Sequence, residues 1–200
     1  MKIIVIGATG TIGSAVVQLL GQHHEIIAVS HSGGPLRVDL GDKASIRRLF
    51  ESVGPFDALV STAGLARFGP LAELSDQDFQ LGLENKLMGQ VNLVRIGLEF
   101  INPGGSFTLT SGVLAQHPMV GSAAISLVNA GLEGFVRAAA LELPRQMRIN
   151  VVSPEWVSET LSKMGGDPAQ GIPAAQVATA YLECVESGRN GEVLGFRDFA

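Results

Sequence analysis

The 200-residue chain predicts an α/β fold, a doubly wound parallel sheet in a single domain spanning residues 1–200. Three observations carry this. Short apolar runs alternate with longer helical stretches along the whole chain. The first run, KIIVIG at 2–7, is apolar on both faces, as a strand inside a parallel sheet must be. A glycine cluster follows it at the mouth of a predicted helix.

Each element has its own signal. EIIAVS (25–30), LRVDL (36–40), FDALVST (56–62), SFTLTS (106–111), MRINVVS (147–153) and EVLGF (192–196) read as further strands. Residues 11–22 and 42–53 read as helices, the second strongly amphipathic. Residues 76–101 carry a long helical pattern with Ser75 as N-cap. Residues 122–143 form a second long helix stopped by Pro144, and 173–186 a last one with Pro in its first turn. The segment 158–171, rich in glycine, is expected to be a short mobile cover.

Composition narrows the function. The net charge of −5 argues against a nucleic-acid partner. No apolar stretch is long enough to span a membrane and no signal peptide opens the chain, so a soluble cytoplasmic protein is expected. The single cysteine, Cys184, cannot form an internal disulfide and reads as buried and inert. Apolar residues make up 46% of the chain, and the two long helices are apolar enough to pair across a two-fold axis. His23 and His24 end the first helix without the partners of a metal site. Met88, Met119 and Met164 read as packing residues.

Ligands of such sheets bind beyond the carboxyl ends of the strands. GATGTIG, with Gly7, Thr9, Gly10, Thr11, Ile12 and Gly13, lies there. Its glycines permit a tight turn and bring backbone N–H groups to a pyrophosphate at the positive end of a helix, a dinucleotide site of the Rossmann type. The second strand ends at Ser30, His31 and Ser32, with no carboxylate to repel a 2′-phosphate, which favours NADP over NAD.

From this point the residues resemble the short-chain dehydrogenase/reductase family along nearly the whole chain. Asp39-Leu40 matches the family's adenine-binding pair. Ser61-Thr62-Ala63-Gly64 resembles its Asn-Asn-Ala-Gly, with Ala63 and Gly64 kept and both Asn replaced. Asn85, in NKLMG, resembles the Asn that holds a catalytic water, and Ser111, in LTSG, the catalytic Ser. NAGLEGFVRAAALEL resembles the stretch after the catalytic Tyr. RINVVSP resembles the sixth strand and its Pro, so Pro154 and Val157 are implied to meet the nicotinamide. The resemblance also implies a homodimer or homotetramer and a small-molecule substrate.

The departure from the family lies at its Tyr-x-x-x-Lys. Ile125 occupies the Tyr position and Asn129 the Lys position, and the one tyrosine of the chain is Tyr181. Ile does no acid–base chemistry; Asn can bond a ribose hydroxyl but carries no charge. The catalytic set expected from the sequence is Ser111, Asn85 and His117, the last for its pKa range and its loop position. Glu155 is a further candidate. Lys86 adjoins Asn85, but a one-residue step turns a helical side chain by about 100°, so it is expected to point elsewhere. Three readings follow: an NADP-dependent oxidoreductase with a non-standard proton donor, a dinucleotide-binding sensor or subunit without turnover, or non-redox chemistry on the same fold.

Overall fold

The computed structural model describes residues 1–195. Seven parallel strands form one sheet in the order β3-β2-β1-β4-β5-β6-β7: β1 Lys2–Ile6, β2 Glu25–Ser30, β3 Leu36–Arg37, β4 Phe56–Ser61, β5 Ile101–Thr110, β6 Arg148–Val152 and β7 Val193–Leu194. The helices are α1 Thr11–Leu20, α2 Lys43–Val53, α3 Asp76–Gly82, α4 Met88–Gly97, α5 Ala123–Ala139, α6 Ser158–Lys163 and α7 Ala174–Glu186. The strand order reverses at β1, whose two neighbours are β2 and β4. The carboxyl ends of β1 and β4 therefore border the crevice where this architecture binds ligands.

Strand alternation divides the core in two. Ile4, Ile6, Leu59, Phe107, Ile149 and Val151 face one side, against Ile46 and Phe50 of α2, Leu93 of α4 and Leu132 and Val136 of α5. Ile3, Val5, Ala58, Val60 and Val152 face the other, against Val16 and Leu20 of α1 and Val177, Tyr181 and Cys184 of α7. Burial pushes the Cys184 thiol up to about 12, so it stays a neutral packing group.

Several expected boundaries move. The third strand shrinks to Leu36–Arg37. The long helix expected over 76–101 is three pieces. The predicted Ser75 N-cap is present, as a capping box with Asp78. After Gly82 the chain makes a π-helical turn over Leu83–Leu87, closed by Met88 N–H to the Leu83 carbonyl, and α4 follows. Ile101 belongs to β5, which starts earlier than expected; its register against β4 shifts between Phe56 and Ala58. α5 ends at Ala139, short of Pro144, because the following residues close turn hydrogen bonds instead. The cover carries helix α6 and a 3-10 turn, Pro168–Gln170. Met88, Met119 and Met164 are exposed rather than packed. The last expected strand is confined to Val193–Leu194, and Phe196 lies outside the described residues.

Among the described residues no helix is long and apolar enough to cross a membrane. No cluster of three or more His, Cys, Asp or Glu that could hold a metal ion occurs among them.

Candidate active site

The glycine loop is built by close approach. Gly7 has φ +82°, and a Cβ there would lie 2.8 Å from Thr62 Oγ1. A Cβ on Gly13 would overlap the Gly7 carbonyl oxygen. Only glycine at both positions lets α1 start directly against the end of β1. The Gly7 and Ala8 amides are held by the Val29 carbonyl. Gly10 is the N-cap of α1, and no side chain caps that end. First-turn N–H groups of a helix have no intrahelical acceptor, so this terminus offers donors to an anion.

The crevice has two halves that share Thr62. The first, about 320 Å³, is lined by Gly7, Thr9, Gly10, His31, Ser32, Leu40, Ala63, Gly64 and Asn85, together with Ile6, Val38 and Leu65. The second, about 300 Å³, takes Ile12 from α1, Thr110 to Leu114 from the end of β5, and Ile125 and Asn129 from α5. Pro154 to Val157, Thr160 and Lys86 complete it. Of the residues expected to bind a dinucleotide, Gly7, Thr9, Gly10, His31, Ser32, Leu40, Ala63 and Gly64 meet in the first half, and Ile12, Asn129, Pro154 and Val157 in the second. Ser30 is turned onto Gly33, its Oγ donating to the Gly33 carbonyl. Asp39 Oδ1 accepts from Gly41 N–H. Thr11 Oγ1 accepts from Lys163 Nζ at 2.8 Å, which ties the cover to the start of α1.

Asn129 is buried, and its Nδ2 donates to the Gly112 carbonyl at 3.3 Å. Its Oδ1 has no hydrogen-bond partner among the described residues. A buried acceptor left unpaired costs on the order of 1–3 kcal/mol, and a ribose hydroxyl in the crevice would satisfy it. The residues present thus fit a nicotinamide dinucleotide, with glycine loop and amide at positions suited to its pyrophosphate and a ribose.

The three side chains expected to do chemistry do not converge. Ser111 is buried; its Oγ donates to Glu133 Oε1 at 3.2 Å. Glu133 also accepts from Gln116 Nε2 at 3.2 Å and from Arg137 at 3.4 Å. The neighbouring Gly112, not Ser111, faces Asn129: a Cβ there would sit 3.0 Å from Asn129 Nδ2. Asn85 lies in the first half, where its Oδ1 accepts Leu65 N–H at 2.8 Å. His117 is exposed and lines an adjoining cavity with Gln116, Ser153 and Val193, which shares Val113 with the second half of the crevice. Glu155 lines both that cavity and the second half of the crevice. Trp156 forms a wall of the second half.

Tyr181 is carried by α7 and does not line the second half of the crevice. It is fully buried under the sheet, with its hydroxyl 2.7 Å from Thr110 Oγ1, which in turn donates to the Ser61 carbonyl at 2.5 Å. Burial raises its pKa further.

Lys86 is the residue that sequence reasoning misplaced. The 100° step from Asn85 does turn it away from the first half, but into the second. Its Nζ donates to the Ser111 carbonyl at 3.1 Å. Desolvation by the surrounding residues lowers its pKa from 10.5 to about 8. The signal in the sequence was its place beside Asn85; the π turn that sets its direction has no sequence signature.

Fold and crevice together define a dinucleotide-binding protein of the Rossmann type. A family profile described as enoyl-(acyl carrier protein) reductase matches residues 11–190. The chain therefore belongs to the short-chain dehydrogenase/reductase family. It is 29% identical over 180 residues to a rat (Rattus norvegicus) 3-oxoacyl-[acyl-carrier-protein] reductase, covering 80% of this chain and 76% of that one. It is 27% identical to human (Homo sapiens) L-xylulose reductase, covering 81% and 74%. Among solved structures, the protein lin1944 of Listeria innocua is 39% identical with a TM-score of 0.94 over 98% of both chains. A small-chain dehydrogenase in complex with NADPH is 26% identical, with a TM-score of 0.86 over 98% of this chain and 95% of that one.

Proposed function

We propose that this protein is an NADP(H)-dependent oxidoreductase that reduces a small carbonyl or imine compound with a proton donor other than the family's tyrosine. The observation that carries the reading is the two-part crevice. One half is lined by the glycine loop and by His31 and Ser32, without a carboxylate at the end of β2; the other is an apolar chamber holding Asn129 and Lys86. His31 and Ser32 give donors to a 2′-phosphate, and the open end of α1 takes the pyrophosphate. The NADPH complex of a similar dehydrogenase and the reductase names of the curated relatives support the same reading. Exposed Leu81, Leu83 and Met88 on the α3–α4 face and Leu127 on α5 support assembly as a homodimer or homotetramer through these helices. The buried, unpaired Cys184 fits a cytoplasmic location.

The test follows NADPH fluorescence and absorbance in one cuvette, with acetoacetyl-N-acetylcysteamine, L-xylulose and a panel of aldehydes, ketones and cyclic imines as substrates. The expected result is saturable NADPH binding, weaker NADH binding, and loss of absorbance with at least one compound. Absence of binding to either nucleotide overturns the reading. Binding without consumption across the panel favours the second reading, a dinucleotide-binding subunit without turnover. That alternative draws on Ile125 at the tyrosine position and on the engagement of the Ser111 hydroxyl by Glu133.

A further inference from the structure

The chamber beside Asn129 has few groups able to move a proton. Thr62 donates to the Ile6 carbonyl and Thr110 to that of Ser61. Ile125 offers only hydrocarbon, and Gly112 has no side chain. The titratable residues that line the chamber are Lys86 and Glu155, and Glu155 sits at the border with the neighbouring cavity.

Lys86 is held there by two contacts that fix its whole length. Its stem runs against Gly64, where a Cβ would come within 2.7 Å of Lys86 Cγ, so any other residue at 64 would push the stem aside. Its tip is anchored by the Ser111 carbonyl. An ammonium has three N–H donors, and among the described residues one of them is engaged. Ile12, Val113, Leu114, Ile125, Trp156 and Val157 give the chamber an apolar wall. Such a wall disfavours the charged form of the amine and brings its proton exchange towards neutral pH, where a general acid works best.

From this geometry we propose that Lys86, delivered by the π turn ahead of α4, is the proton donor of the site and takes over the task of the missing tyrosine. The inference rests on the dinucleotide reading above. A reduced nicotinamide, when bound, supplies a hydride to the substrate carbon. The C=O π bond opens as the C–H bond forms, and the electron pair left on oxygen takes a proton from Lys86 Nζ. The carbonyl is reduced to an alcohol and the dinucleotide is oxidised; neutral Lys86 regains a proton from water. The Ser111 carbonyl and the packing of the stem on Gly64 keep the amine in place. The charged groups nearest in these contacts are Glu155 in the same chamber and Glu133, bonded to Ser111; Lys163 of α6 is engaged by Thr11.

The experiment is a pH titration of the reductively ¹³C-dimethylated protein by NMR, free and with saturating NADP⁺ or NADPH. Nucleotide binding is checked by NADPH fluorescence and by competition with NADP⁺. The chain has four lysines, Lys2, Lys43, Lys86 and Lys163, and the variant Lys86→Met assigns the signal. Lys86 is expected to titrate near 8, well below the other three. NADP⁺, which adds a positive charge beside the amine, should lower its midpoint by at least about half a unit, while NADPH should not. In parallel, Lys86→Met should cut turnover of any substrate found by about 100-fold or more, the usual size of a general-acid contribution, with NADPH affinity kept within about threefold. A Lys86 signal that titrates with the other lysines overturns the proposal. So does one that ignores both nucleotides while fluorescence shows them bound. Loss of fluorescence binding itself removes the dinucleotide reading, and the proposal with it.

Discussion

Ser111 and Glu133 form a buried hydroxyl–carboxylate pair, the Ser111 Oγ donating to Glu133 Oε1 at 3.2 Å from the end of β5 to the middle of α5. The carboxylate is completed by Gln116 and Arg137. A buried carboxylate needs such donors, because an unpaired charge in an apolar core is costly. The pair joins β5 to α5 beside the chamber that Ser111 helps to line.

A stability effect without a binding effect is expected from Ser111→Ala. Losing one of the donors to Glu133 should cost about 1–3 kcal/mol. Urea unfolding should show the lower midpoint, while NADPH affinity stays within about threefold of the parent. Glu133→Ala, which strands three donors at once, should be more destabilising than Ser111→Ala.

Tyr181→Phe separates a buried tyrosine from a catalytic one. The hydroxyl bonds only Thr110 Oγ1 among the described residues, and Thr110 keeps its own bond to the Ser61 carbonyl. The expected cost is about 1 kcal/mol, read by thermal or urea unfolding, with nucleotide binding and turnover unchanged. A large loss of turnover would assign Tyr181 a role in the chemistry.

The pH dependence of stability carries the mark of Lys86. Its pKa is about 8 in the folded chain against an ordinary 10.5. Below pH 8 the amine is charged in both states and the folded state bears the desolvation cost. Between about 8 and 10.5 the unfolded chain binds more protons, so the stability contributed by this group rises with pH. Lys86→Met removes the charge: it should stabilise at pH 7 by up to about 3 kcal/mol, less the lost bond to Ser111. The advantage over the parent should fade as pH rises through that window. Urea unfolding of both proteins at pH 7, 8, 9 and 10 measures it.

Gly13→Ala tests the loop by sterics alone. Its Cβ would overlap the Gly7 carbonyl oxygen, which is backbone and cannot swing away. The variant should lose NADPH binding by more than about 10-fold in fluorescence titration, with a stability loss of about 1–3 kcal/mol from strain.

Ser32→Asp addresses nucleotide choice at the other end of the crevice. A carboxylate beside His31 would repel a 2′-phosphate. NADPH affinity should fall about 10-fold or more relative to NADH, and equal losses for both nucleotides would place the phosphate elsewhere.

Much of this molecule was legible in order along the chain. The apolar runs gave the strands, because a buried parallel strand must be apolar on both faces wherever it sits. GATGTIG gave the loop, because the close packing of Gly13 on Gly7 is a local demand that only glycine meets. The absence of a tyrosine near residue 125 was also a plain fact of the sequence. What the sequence could not supply was direction. Whether Ser111 turns to the chamber or to Glu133 depends on a partner 22 positions away. Whether Lys86 faces the dinucleotide half or the apolar chamber depends on a π turn and on Gly64 packed against its stem. Side-chain direction at a strand end or an irregular helical turn is set by contacts that form only when distant segments meet. Tertiary structure alone therefore decided that the lysine enters the chamber and that the hydroxyl of Ser111, on the chamber's lining, donates to Glu133.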